Sequence, residues 1–121
     1  MATILVVDDE GSIRSLLALI LKSEGHEVLT ASIGLVGTAL FRSFRSSIDL
    51  VITDMVMPNM DGYELVRLIQ HDQPDARIIC MSGYSDEGCP PGASWLAKPF
   101  APKRVVDMVN EALLRDSRPA R

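Results

Sequence analysis

Short, unbroken apolar runs alternate along this chain with stretches in which apolar residues recur every three or four positions. Ile4-Leu5-Val6-Val7, Leu50-Val51-Ile52 and Ile78-Ile79-Cys80-Met81 are apolar without alternation. Such runs suit strands buried on both faces, as in a parallel sheet covered by helices on either side. Val28 to Ala31 and Trp95-Leu96-Ala97 fit two further strands. Ile13, Leu16, Leu17, Ile20 and Leu21 predict a first helix, with Ser12 as N-cap and Gly25 just beyond its end. Leu35, Val36, Ala39, Leu40 and Phe44 predict a second as its apolar face, weakened by Gly34 and Gly37. A third runs from Gly62 to about Gln70 on Leu65, Val66, Leu68 and Ile69, and the last begins at Pro102 and carries Val105, Val106, Val109, Leu113 and Leu114. This alternation predicts an α/β fold, a doubly wound parallel sheet of five strands with right-handed crossovers.

One crossover departs from the pattern. Between Ser82 and Ser94 the chain holds three glycines and two adjacent prolines, Pro90 and Pro91. A crossover that includes a helix needs about 10–12 residues or more. The expectation here is no regular helix, at most one turn around Asp86.

The chain has 121 residues, 47% of them apolar, which excludes a disordered chain and predicts one domain over 1–121, with its core at about 2–115 and a short tail at 116–121. Its apolar runs fall far short of the ~20 residues of a membrane span, and the N-terminus lacks the basic start of a signal peptide. A formal net charge of −4 argues against nucleic acid as a partner. Cys80 and Cys89 have no metal-site spacing and are read as thiols in a reducing, cytoplasmic setting.

Charge interrupts the apolar runs at their ends. Asp8 and Asp9 follow the first strand, Asp54 the third, Ser82 the fourth and Lys98 the fifth. In an open parallel sheet these ends share one edge, where ligands bind at the crevice between diverging crossovers. Three carboxylates gathered there would repel one another, and a divalent cation with Lys98 offsets them. An all-carboxylate set selects a hard cation, magnesium best. Beside it, an aspartate can act as a nucleophile toward phosphorus, with the ammonium and the Ser82 hydroxyl facing the phosphoryl oxygens. Taken singly, each residue has a plainer reading: Asp9 or Glu10 as a helix cap, Lys98 as a solvated loop lysine, Ser82-Gly83 as a turn. Their coincidence on one edge favours the joint site.

These residues resemble the receiver domains of two-component response regulators over nearly the whole chain. Asp8-Asp9-Glu10 resembles the acidic-pair motif, and Asp54-Met55-Val56-Met57-Pro58-Asn59-Met60-Asp61-Gly62 the phosphorylation-site motif. Met81-Ser82-Gly83-Tyr84 is similar to the switch-hydroxyl motif, and Lys98-Pro99-Phe100 to the Lys-Pro-Phe motif. The resemblance implies a flavodoxin-like strand order, 2-1-3-4-5. It implies that Asp54 accepts a phosphoryl group from a histidine kinase phosphohistidine, a phosphotransfer protein or a small donor. Mg2+ would then be bound by Asp9, Asp54 and the backbone carbonyl of Val56, with Asp8 acting through water. Lys98 would contact the phosphoryl oxygens, the Lys98–Pro99 bond would be cis, Ser82 would swing toward the phosphoryl group and Trp95 would follow. Val56 and Tyr84 would flank a water attacking the phosphoaspartate and tune its lifetime. The protein would be a switch for an unknown downstream partner rather than an enzyme, with only self-phosphotransfer and slow autodephosphorylation.

Two departures matter. The family's fourth helix falls in the Gly- and Pro-rich stretch, so output, or a homodimer, would use a non-standard surface. The switch aromatic, usually Tyr or Phe, is Trp95, either a moving part or a static strand residue. A magnesium-dependent aspartyl-phosphate phosphatase and a pseudo-receiver that only binds partners are the alternatives. The first lacks an acid two residues after the nucleophile, where Val56 stands. His26, His71 and the methionines Met55, Met57 and Met60 are read as structural.

Overall fold

The computed structural model describes residues 1–83 and 89–114. Five strands, β1 (Thr3–Val7), β2 (Glu27–Ala31), β3 (Leu50–Asp54), β4 (Ile78–Ser82) and β5 (Ala93–Ala97), form one parallel sheet in the order β2-β1-β3-β4-β5. Helices α1 (Gly11–Ser23), α2 (Gly34–Ser43), α3 (Gly62–Asp72) and α4 (Pro102–Leu114) cover its two faces. Successive strand residues point to opposite faces, so each central run feeds two cores. Ile4, Val6, Ile52, Ile79 and Met81 pack with Leu17, Leu21, Val105 and Val109 of α1 and α4. Leu5, Val7, Val51, Ile78 and Cys80 pack with Phe41 of α2 and Leu65, Val66 and Ile69 of α3. All of β3 and β4 is buried, and the edge strands β2 and β5 only in part. Among the described residues, no helix is long and apolar enough to cross a membrane.

Two local expectations are corrected. Helix α1 begins at Gly11 with Glu10 as its cap residue, so Ser12 lies inside the first turn. The reason is upstream: the Glu10 N–H donates to Asp8 Oδ1 at 2.9 Å and the Arg14 N–H to the Glu10 carbonyl at 3.1 Å, which closes the turn early. At its other end, Gly25 takes φ +90, with the His26 N–H on the Leu21 carbonyl and the Gly25 N–H on that of Lys22, a Schellman closure.

In α2 the period holds and the phase does not. Leu35, Val36, Ala39 and Phe44 are exposed, while Gly34, Gly37, Thr38 and Phe41 face the core. A Cβ on Gly37 would lie 2.8 Å from Val7 Cγ2, and one on Gly34 would lie 3.0 Å from Met60. The glycines are thus the close-approach stripe of the helix. A hydropathy pattern cannot register a face made by missing side chains.

The connection from β4 to β5 spans residues 83–92, and the turn expected around Asp86 lies outside the described residues. Gly83 and residues 89–92, which are described, are not helical.

Candidate functional site

The carboxyl ends of β1, β3, β4 and β5 bring the polar residues together. Asp54 and Ser82 are the last residues of β3 and β4, and Asp8 and Lys98 directly follow β1 and β5. Asp8 is fully buried and Asp54 is 5% exposed, burial that for a carboxylate demands partners. Lys98 Nζ supplies one, 3.0 Å from Asp8 Oδ2 and 3.4 Å from Asp54 Oδ2, with Glu10 Oε1 at 3.6 Å on its outer side. Arg14 Nη1 donates to the Asp8 carbonyl at 2.8 Å and holds the backbone of the acidic pair. Ser82 accepts the Lys98 N–H at its carbonyl, 2.9 Å, so hydroxyl and ammonium share one strand pairing.

Oxygens of Asp8, Asp9 and Asp54 all lie within 4.8 Å of one another, Asp9 being the exposed member. A set of carboxylates without histidine or sulfur fits a hard, oxygen-seeking dication such as magnesium. Burial pushes the Asp54 carboxyl above its ordinary 3.8, and the charge of Asp8 adds to the rise. Lys98 and the Val56 N–H, which donates to Asp54 Oδ1 at 3.4 Å, pull it back in part. Burial also works against the Lys98 ammonium, but its hydrogen bond to Asp8 and the charges of Asp54 and Asp8 outweigh that and hold it above 10.5. The carboxylates therefore carry a deficit of positive charge that one lysine does not remove.

The loop after Asp54 is folded back on it. The Gly62 N–H donates to the Met55 carbonyl at 3.2 Å, and Asp61 caps α3 by accepting the Glu64 N–H at 2.9 Å. A Cβ on Gly62 would lie 2.4 Å from the Asp54 carbonyl oxygen and 2.5 Å from Met55 Cα. The first turn of α3 is thus pressed against the backbone of Asp54 itself. Asn59 turns the loop at φ 69. Thr53 is buried and donates its hydroxyl to the Asp54 carbonyl at 2.9 Å. Sequence reasoning left Thr53, Arg14 and the contact of Glu10 with Lys98 out of the site. Only the position of Gly62, directly after a cap residue, carried a signal for its role.

Other residues fall elsewhere. The Lys98–Pro99 bond is cis. Val56 is exposed, and Tyr84 lies outside the described residues. Trp95 is half-buried and lines a cavity of about 180 Å³ with Ser94 and with Arg104, Met108, Glu111 and Ala112 of α4, none of them a residue of the acidic rim. Its Nε1 is buried without a hydrogen-bond partner among the described residues. His26 Nδ1 accepts the Ala2 N–H at 3.1 Å, and Met55 and Met57 are buried in the core, as structural residues are.

A model of the response regulator receiver domain matches residues 4–110. The sensor kinase CckA of Brucella abortus is 34% identical over 93% of this chain and 12% of its own length. The DNA-binding transcriptional regulator NtrC of Azospirillum brasilense is 39% identical over 98% of this chain and 26% of its own. The chain thus spans about an eighth and about a quarter of these two relatives. In a crystal structure of the CheX-CheY-BeF3-Mg2+ complex from Borrelia burgdorferi, one chain superposes with a TM-score of 0.88 at 27% identity, covering 94% of this chain and 90% of that one.

Proposed function

Because this chain belongs to the response regulator receiver domains of two-component systems, we propose that it accepts a phosphoryl group on Asp54 and passes the signal on by changing conformation. The observation that carries this reading is Lys98 Nζ seated between Asp8 and Asp54, inside a cluster of three carboxylates at the carboxyl edge of the sheet. Relatives that are sensor kinases and regulators point to a histidine kinase or phosphotransfer protein as donor.

Asp8, Asp9 and Asp54, with the Val56 carbonyl, would hold a magnesium ion, which when bound supplies positive charge against the phosphoryl oxygens. The complex from Borrelia burgdorferi names both magnesium and a fluoroberyllate. An Asp54 oxygen attacks phosphorus, and the bond from phosphorus to the donor nitrogen breaks with the electron pair leaving on nitrogen. The backbone of Asp54 is braced by Gly62 and Thr53, so its carboxylate has little freedom to turn from the incoming group. Lys98 neutralises the oxygens of the new acyl phosphate, and Ser82 turns its hydroxyl toward them. Val56 and Tyr84 flank the path of a hydrolytic water and set the lifetime of the product.

Trp95 is read as the aromatic that follows Ser82. Its present seat leaves the indole N–H unsatisfied, so leaving that seat sacrifices no hydrogen bond. Phosphorylation then biases two packings of the β5–α4 edge. The protein so described is a switch that turns over only its own phosphate, and the setting it implies is the cytoplasm.

Labelling by acetyl phosphate tests the reading. Label appears on the wild type with magnesium, and is lost with a chelator and in Asp54→Ala. Equal labelling of Asp54→Ala overturns the assignment.

A further inference from the structure

The two cysteines come together in space. Cys80 is buried in the middle of β4, on the face that packs under α3, and Cys89, from the β4–β5 connection, packs against the same apolar cluster. The Cys89 thiol donates to the Ala93 carbonyl at 3.3 Å. Ala93 is paired with Ile78, which lies two residues from Cys80 on the same side of the strand. Cys80 and Cys89 thus share one apolar cluster beneath α3. Both are in the reduced form in this structure.

We propose that Cys80 and Cys89 are a redox modification site that closes to an intramolecular disulfide under a peroxide and so fastens the β4–β5 connection onto β4. Cys89 is the sulfur that meets the oxidant. It lines an open groove of about 390 Å³ with Tyr63, Arg67, Gln70, Pro90 and Pro91, which gives a small oxidant a path to the thiol. Hydrogen peroxide converts the Cys89 thiol to a sulfenic acid and one water. The Cys80 sulfur then attacks the Cys89 sulfur. The S–S bond forms, the S–O bond breaks, and hydroxide leaves with the Cys80 proton as a second water. Burial pushes the Cys80 thiol pKa up, so it is shielded from outside oxidants and acts through proximity to its partner.

The geometry allows the closure. A disulfide requires Cβ atoms about 3.5–4.5 Å apart, which asks two neighbours of one apolar cluster to close on each other. Gly83 and Gly92 lie toward the two ends of the connection, and a Cβ on Gly83 would lie 3.9 Å from the Lys98 carbonyl oxygen. Gly92 already stands at φ +86. The consequence rests on the function proposed above: Ser82 is two residues beyond Cys80, so a bridge at Cys80 restrains the strand end from which the hydroxyl must swing.

Peptide mapping of the whole chain after hydrogen peroxide, with and without dithiothreitol, tests the bond, and acetyl phosphate labelling of the same samples tests its effect. The expected result is a reducible Cys80–Cys89 cross-link within one molecule and labelling slowed about fivefold, the low end of common coupling between sites. Cys89→Ser, at a partly exposed position, should form no cross-link and label equally with and without peroxide. Sulfinic acid on Cys89 with Cys80 still reduced, or bridges between molecules, overturns the site. A cross-link that leaves labelling unchanged overturns its control of the switch. Absence of label in the reduced protein as well would sink the phosphoacceptor reading, while the peptide map still decides the bond.

Discussion

The two crossovers that flank β4 are built on opposite principles. From β3 to β4 the chain makes a full helix, α3, capped by Asp61 and pressed through Gly62 onto the backbone of Asp54. From β4 to β5 it crosses in residues 83–92, the described part of which is non-helical and rests on α3 through one hydrogen bond from Gln70 Nε2 to the Pro91 carbonyl, 2.8 Å. The first holds the backbone of Asp54 in place. In the second, Cys89, Pro90 and Pro91 line an open groove with Tyr63, Arg67 and Gln70 of α3, and Trp95 of β5 lines a cavity with α4. A tight backbone contact therefore sits beside Asp54, and open space beside Cys89 and Trp95.

Three changes would break or sharpen that contrast. The largest effect belongs to Gly62→Ala, whose new Cβ meets backbone atoms that cannot rotate away. It should cost about 3 kcal/mol in urea unfolding, the upper range for overpacking, and lose most labelling by acetyl phosphate. Near-normal stability and labelling would show that α3 does not brace Asp54.

Lys98→Met comes next. It leaves Asp8 buried without its ion-pair partner and should cost about 2 kcal/mol at neutral pH in a chelator, less than for a fully dry pair because Lys98 keeps some solvent. The pH dependence has a definite sign. Asp54 has a raised pKa in the folded state, so its contribution is fully present below 3.8 and is lost as pH rises through the folded value. Without Lys98 that window should widen upward. Lys98 itself is also raised, so the wild type should lose its contribution only as pH rises through a value above 10.5, a loss the variant lacks. Unfolding curves across pH for both proteins would decide, and identical profiles would count against the charge balance described above.

The smallest effect belongs to the other crossover. Gly92→Ala places a side chain at φ +86 in otherwise open space, with Gln70 Nε2 at 3.4 Å. It should cost about 1 kcal/mol and leave labelling unchanged. A large loss of labelling would mean that this connection supports the site as firmly as α3 does.

Much of this was legible in the chain. Unbroken apolar runs demand burial on two faces, and that requirement alone leads to a covered parallel sheet. The polar residues that end those runs then have to share an edge, which is why Asp8, Asp54, Ser82 and Lys98 could be named before any coordinates. The phase of α2 could not be read, because Gly34 and Gly37 act by having no side chain to weigh. Neither could the brace of Gly62 on Asp54, which depends on a loop closing to within a bond's length or two. The meeting of Cys80 and Cys89 in one apolar cluster is of the same kind. Patterns along a chain fix which residues must leave water and at what period. Which atoms then touch is set by packing between segments distant in sequence, and only the folded molecule decides it.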